Sequence, residues 1–390
     1  MKVVAPVLEG IDTLLAWFSV SSGQTVSSYC DVQTADSEIV LANHDGSLLS
    51  ILEIEGVNSL VGQEEYEYIH DAILQTLQAT MAHSGHVLQV HFDYQLDGIK
   101  KQLRSILSSA GETASNLELN LDDLLNEREN NLAIYCANER VYLTVWTNSS
   151  LLSSEEQRAM LKDKAKVLKE TGFPPVRYTQ NIMAAFPELR DAHDAFVRSI
   201  LIDFNAAGLQ VNLLHVKDAC RAIRKTVDED FTNDDWVPVL PGDKYPVKIA
   251  KHFNGDISDI LWPSLAQQLF PRDAFNKDLR VAQVGDRLYA SVFIDLFPKE
   301  IKAFSTLLSK ILPAKIPWRM SFLVSGGGLE TLKVKRAIAG LLSFASAQNR
   351  LINDSISLLD YIELNSDDAV VKLQVTATTR APPAAPPLSP

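Results

Sequence analysis

EIVLANHDGSLLSILEIE, residues 38–55, is the stretch whose reading decides the fold. Glu38–Ala42 and Ser47–Glu55 are strand-like runs flanking Asn43-His44-Asp45-Gly46. Asp-Gly supplies the positive φ angles of a tight turn, so the stretch predicts a β-hairpin. In its second strand Leu49, Ile51 and Ile54 are apolar, with Glu53 and Glu55 directed to water. The alternation breaks near Leu52, which predicts a strand covered on both faces.

The following elements alternate helix and strand. Gln63–His83 carries Tyr66, Ile69, Ile73, Leu77 and Met81 at helical spacing and stops at Gly85. His86–Tyr94 alternates as a strand. Asp97–Ala110 reads as a helix ending near Gly111, a further helix spans Asn120–Asn131, and Arg140–Thr147 is a strand. Ser153-Ser154-Glu155-Glu156 has the form of a capping box and opens a helix to about Glu170. Pro187–Asn205 is helical, Leu209–Val216 a strand, and 228–246 an acidic, proline-bearing segment that reads as a long surface loop or an insertion and as a second candidate contact surface beside the 8–20 helix. A second hairpin joins Asp278–Gln283 to Arg287–Leu296, followed by helix Lys299–Leu312, strand Pro317–Ser325, helix Leu329–Gln348, a shorter helix to about Tyr361, and strand Asp368–Thr378.

Residues 36–147 and 278–379 therefore share one order of hairpin, helix, strand, helix, strand. The predicted class is α/β (α+β): two mixed-sheet lobes with a helical bridging region. The expected organisation is an N-terminal amphipathic helix and lead-in over 1–30, a first lobe over 31–150, the bridge over 151–277, a second lobe over 278–379 and a Pro-rich linker over 380–390. The linker reading rests on RAPPAAPPLSP, which favours an extended spacer; a frayed terminus is the plainer account.

Composition limits the function classes. The 390 residues are 46% hydrophobic and 22% charged, the balance of a folded chain. Lys and Arg total 36 against 49 Asp and Glu, a net charge of −13 that argues against direct nucleic-acid binding. No apolar run is long enough for a membrane span, and Glu9 and Asp12 interrupt any secretion signal. Cys30, Cys136 and Cys220 fit reduced thiols. No Gly precedes a Lys, so a GxxxxGK[ST] phosphate loop is absent, as are CxxC, HExxH and GxSxG.

The remaining candidates each have a plain reading beside a functional one. Gly326, Gly327 and Gly328 follow Ser325 between a strand and a helix, where backbone amides can hold a phosphate, though Lys333 and Lys335 lie beyond the loop. The plain reading is a flexible turn. His83, His86 and His91 are close in sequence, but His86 and His91 face opposite sides of a strand, against a metal site. Asp122-Asp123, Asp234-Asp235 and Asp367-Asp368 read as solvated pairs, and Lys162 and Lys166 as one exposed helix face. No catalytic residue and no metal ligand is assigned. Residues 8–20 place Leu8, Ile11, Leu14, Leu15 and Phe18 on one face, widened by Trp17. They read either as a helix packed on its own domain or as a docking helix contacting a partner through Leu14, Trp17 and Phe18.

SYCDVQTADSEIVLANHDGSLLSILEIEGVNSLVG at 28–62 resembles the N-terminal region of the large ATPases of type IVB secretion and conjugation systems, the DotO/IcmB-like and TraU-like family. GIDTLLAWFS at 10–19, VYLTVWT at 141–147, FPKEI at 297–301 and IPWRMSFLVSGGG at 316–328 extend the resemblance to about residue 379. The resemblance implies an N-terminal α/β domain, a linker and a separate hexameric ATPase domain that would hold ATP and magnesium. This chain would be the non-catalytic docking domain in the bacterial cytoplasm, peripheral to the inner membrane. Its partners would be inner-membrane components of the apparatus, with self-association as a dimer or, in the full-length protein, a hexamer. The alternative is a stand-alone nucleotide- or phosphate-binding enzyme using the Ser325–Gly328 turn.

Overall fold

The computed structural model describes residues 26–57, 59–82, 84–95, 98–171, 179–243, 262–276, 280–294, 316–327, 357–358, 361 and 369–381. In chain order the elements are β1 (Val32–Ala35), β2 (Leu41–Asn43), β3 (Leu48–Val57), α1 (Gln63–Met81), β4 (His86–Gln95), α2 (Ile99–Asn116), α3 (Asp122–Tyr135) and β5 (Asn138–Thr147). Then follow α4 (Ser154–Thr171), α5 (Arg190–Ala206), β6 (Leu209–Leu213), α6 (Val216–Val227), α7 (Leu265–Leu269), β7 (Ala274–Asn276), β8 (Val281–Val284), β9 (Arg287–Phe293), β10 (Trp318–Ser325) and β11 (Lys372–Ala381).

The α+β class stands, but the arrangement differs from two mixed-sheet lobes. The strands form one sheet in the order β1-β2-β3-β5-β4-β10-β11-β9-β8-β7, with β6 beside the second half of β3. Every pairing among the described strands is antiparallel. The seam is β4 against β10, in register from Tyr94↔Trp318 to Val87↔Ser325. The order is mirrored about it: β2-β3-β5-β4 on one side and β8-β9-β11-β10 on the other. β3 and β4 both pair with β5, and β9 and β10 flank β11, so each half has the split β-α-β strand pattern. Each half ends in a long strand whose unpaired edge would be a liability alone, and each covers the other's.

The region expected as a bridge packs onto the sheet of both halves, its β7 pairing with β8. Its β6 pairs with β3, α5 covers one sheet face and α6 with α7 covers the other. On the first face Leu52, Leu88, Leu143 and Val145 pack against Phe196, Val197, Ile200 and Phe204 of α5 and Met81 of α1. On the second, Leu49 and Ile51 meet Val216, Ala219 and Cys220 of α6 and Leu265 and Leu269 of α7. β3 is therefore buried on both faces from Leu48 to Leu52, which is why its alternation fails there. At the β2–β3 turn Gly46 has φ +87°, and a Cβ would lie 2.3 Å from the Phe186 ring. Both constraints require glycine.

Several elements differ from their predicted bounds, among them α2, β11 and α6. Gly111 does not end its helix: α2 continues to Asn116, and Leu125 of α3 lies 3.7 Å from where a Cβ on Gly111 would stand. β11 includes Arg380 and Ala381, which the sequence places in the linker, and Arg380 is buried. α6 occupies residues the sequence reading leaves between a strand and a loop. The capping box forms as drawn: the Glu156 amide donates to Ser153 Oγ at 3.3 Å and the Ser153 amide to Glu156 Oε2 at 2.8 Å. Among the described residues no helix is long and apolar enough to cross a membrane.

Candidate functional site

Charge gathers where the halves meet. Asp93 of β4 stands directly opposite Arg319 of β10, and Arg380 of β11 reaches the same carboxylate. Their separations are 3.4 Å and 3.2 Å. The loop after α6 adds Glu229, which contacts Arg319 and Arg380 and lies 3.1 Å from Arg287 of β9. Arg287 also binds Asp230, while Arg272 joins Asp228 and Asp230. The group balances four carboxylates (Asp93, Asp228, Glu229, Asp230) against four guanidiniums (Arg272, Arg287, Arg319, Arg380). Burial pushes the Glu229 carboxyl above its ordinary range, and the guanidiniums of Arg319, Arg380 and Arg287 oppose that shift. Removing one partner from such a buried cluster typically costs about 3–5 kcal/mol, since it strands the other charge. The loop expected at the surface thus fastens to the sheet through Asp228–Asp230. Its Asp234 is bound to Lys225 and Lys101, and its Asp243 to Lys217.

A cavity of about 460 Å³ opens beside this cluster, between the start of α2, the start of β5, the last turn of α6 and the loop. Gly98 is the N-cap of α2, so the cap position carries no side chain, and the first turn holds no acidic residue. Lys101, Arg140 and Lys225 line the cavity. Asp234 lies 2.5 Å from Lys225 Nζ and 3.6 Å from Lys101 Nζ, linking α6 to α2 across it. That hydrogen bond from Lys225 holds the Asp234 carboxyl below its ordinary range. Asn138, also in the wall, is 8% exposed, and its Oδ1 has no hydrogen-bond partner.

A serine–histidine pair lies on the opposite face of the sheet. His193 of α5 is fully buried, with Nε2 3.0 Å from Ser50 Oγ and Nδ1 2.9 Å from Thr147 Oγ1. Ser50 donates its own proton to the Ile39 carbonyl at 2.8 Å. It therefore accepts from Nε2–H, and Thr147 donates to Nδ1, which fixes a neutral imidazole. Burial, followed by the neighbouring His86, lowers the His193 pKa to about 4. The histidine has no serine proton to abstract, so the pair fastens α5 to β3 and β5 and carries no nucleophilic chemistry.

The residues singled out from sequence fall in different places. The Gly326 amide donates to the His86 carbonyl at 2.9 Å, and a Cβ on Gly327, at φ +66°, would lie 2.6–2.8 Å from Ser84. The close approach to Ser84 accounts for Gly327, and the Gly326 amide continues the pairing with β4; Gly328 lies outside the described residues, as do His83, Asp367, Asp368, Lys333, Lys335 and the partner-contact candidates Leu14, Trp17 and Phe18. His86 stacks on Phe196 at 4.1 Å on one face, whereas His91 is a half-buried neighbour of Asp93 on the other. No metal-binding cluster occurs among the described residues. Burial raises the Cys30 thiol to about 11 and raises Cys220 further, which keeps both protonated and unreactive. In the DVQTADS segment Asp36 is forked by Arg190 at 2.6 and 2.8 Å, and Thr34 donates to Gln180 at 3.1 Å.

The sequence reading missed the hairpin of α2 and α3. The two helices pack chiefly on each other and are joined by Arg104 donating twice to Glu129, at 2.9 and 3.0 Å, and Lys100 to Asn130 at 2.7 Å. Ile106, Leu117, Leu119, Leu124, Ile134 and Tyr135 are exposed on it, Tyr135 to 86%. Their sequence signal is apolar positions left over once Leu103 and Ile99 take the buried face. Compared with known proteins, the chain matches no family model and no curated protein.

Proposed function

We propose that this chain is the non-catalytic docking domain of a type IV secretion or conjugative-transfer ATPase, holding the motor to inner-membrane components of the apparatus. The observation that supports this reading is the α2–α3 hairpin, a two-helix element bearing exposed Ile, Leu and Tyr side chains beside a sheet that is otherwise stapled internally. Apolar anchors on a preorganised helical element suit protein–protein contact. The 8–20 helix, with Leu14, Trp17 and Phe18, is the second surface of this reading. ATP and magnesium would belong to a separate motor domain.

The sheet register provides a clean test. Gln95 and Asn138 are paired neighbours on β4 and β5, so an Asn-Gly turn can replace residues 96–137 without breaking the ladder. In cells carrying the apparatus, the chain with the hairpin is expected to fractionate with inner-membrane components, and the turn variant to stay in the soluble fraction with its sheet intact by circular dichroism. Equal membrane recovery of both would sink the hairpin as the docking element.

A further inference from the structure

The tip of the α2–α3 hairpin combines apolar and acidic side chains. Leu117, Leu119 and Leu124 fall within eight consecutive positions there, and each is more than half exposed. Glu112, Glu118, Asp122, Asp123 and Glu127 are exposed in the same segment. Against these five carboxylates, residues 105–128 hold one cation, Arg128. The ion pairs of the hairpin among the described residues, Arg104 with Glu129 and Lys101 with Asp234, use none of the five. The turn itself is fixed. The Leu119 amide donates to the Ala114 carbonyl at 2.8 Å and the Glu118 amide to the Ser115 carbonyl at 3.1 Å. This paired closure ends a helix on a left-handed residue, here Glu118 at φ +56°. The side chain after such a closure commonly packs back on its helix, yet Leu119 stays largely exposed. A partner therefore meets leucines on a backbone that is already ordered.

Charge selects what can cover this tip. A membrane surface of anionic lipid repels it, and a second copy would set the same carboxylates against each other. A fitting partner brings cations beside an apolar stripe. Cytoplasmic segments next to membrane spans carry such an excess of Lys and Arg. We infer that the hairpin tip docks a cationic amphipathic helix of a protein partner, with its apolar stripe on Leu117, Leu119 and Leu124 and its Lys or Arg side chains on Glu118, Asp122 and Asp123. The inference rests on the docking reading of the hairpin and deepens it: the helix is the juxtamembrane segment of an inner-membrane component.

Fluorescence anisotropy tests the chemistry, using the full chain and a labelled Leu/Lys helix of about 20 residues with leucines at helical spacing. In about 0.15 M salt, saturable binding at about 10–100 μM is expected, and none of a Leu/Glu helix of the same pattern. Leu117→Ser with Leu119→Ser and Leu124→Ser leaves every charge in place and weakens binding by about tenfold. Glu118→Gln with Asp122→Asn and Asp123→Asn also weakens it by about tenfold and flattens its salt dependence. All six altered side chains are exposed, and unchanged melting temperatures check the folding of both variants. Undiminished binding by the leucine variant assigns the peptide to the overall negative charge of the chain and overturns the site. Undiminished binding by the amide variant overturns the role of the carboxylates. Binding to phosphatidylglycerol vesicles, or self-association, that the leucine variant loses overturns the protein partner in favour of lipid or a second copy. In cells carrying the apparatus, the amide variant is expected in the soluble fraction beside the turn variant. If the turn variant leaves the membrane and the amide variant stays, the docking reading stands and this inference fails. If both tip variants lose the peptide while the turn variant stays at the membrane, the tip binds a cationic helix and the docking reading fails.

Discussion

His193 shows how a residue with the look of chemistry can be structural. Its neutral ring joins three elements through one donated and one accepted hydrogen bond, and protonation would place a charge in a site closed to water. Its pKa is about 4 in the fold against 6.5 for the ordinary group. The unfolded chain therefore binds the proton more readily, and stability from this residue is complete above pH 6.5 and lost as pH falls toward 4. A shift of that size corresponds to about 3 kcal/mol at the acid end. Urea unfolding at pH 7, 5 and 4 is expected to show this loss. His193→Gln should be less stable at pH 7 and lose much less between pH 7 and 4; an equal loss in both proteins would assign the pH dependence to other groups. None of this was legible in the sequence. Ser50, Thr147 and His193 are far apart along the chain, and only the sheet register with α5 above it brings them together. The same holds for Asp93 and Glu229, whose guanidinium partners lie on strands of the other half.

At the scale of elements, local chemistry was a good guide where one rule dominated. Asp45-Gly46 fixed a hairpin, and Ser153 with Glu156 fixed a helix start, because each device acts within four residues. Gly111 misled because a single glycine costs a helix only about 1 kcal/mol, and α2 runs through it to Asn116. α6 was legible and overlooked: Val216, Ala219, Cys220 and Ile223 follow helical spacing, and all four join the core beneath β3. The α2–α3 hairpin depends on tertiary contacts of another kind. Glu129 is buried while Arg104 is largely exposed, so the pair closes the two helices at one side. Arg104→Ala leaves that carboxylate without its charged donor, a loss on the order of 1–2 kcal/mol confined to the hairpin. Hydrogen exchange is the suitable readout, since local opening is separable from global unfolding. Amides of α2 and α3 are expected to exchange several-fold faster, with β4, β5 and β10 unchanged. Acceleration spread equally over the sheet would mean that the hairpin is not an independent unit.

The whole molecule is governed by its central seam. The strands of the two halves follow a repeated order, but order along the chain says nothing about which strand ends up at an edge. That depends on pairing between residues more than two hundred positions apart, such as Asp93 with Arg319. Once β5 lies inside β4, and β11 inside β10, each half presents its outer strand, and the two outer strands close on one another. The arrangement makes the halves interdependent in two ways. β4 would lose one ladder of backbone hydrogen bonds without β10, and Glu229 would lose Arg287, Arg319 and Arg380 together. A chain cut to residues 26–276 keeps β1–β6 with their covering helices but leaves β4 as a ten-residue edge strand. Exposed long edges recruit other strands, and the nearest substitute for β10 is the β4 of a second copy, its counterpart across the seam. Sedimentation velocity over a concentration series is expected to show the cut chain as a dimer or larger species, while the full chain does not self-associate through this edge. Adding a separately produced segment 280–381 should return the cut chain to a one-to-one complex by supplying β10 and β11. A cut chain that sediments as a monomer with native strand content at every concentration would show that the first half is stable without the seam, and that β4–β10 pairing joins two units rather than completing one sheet.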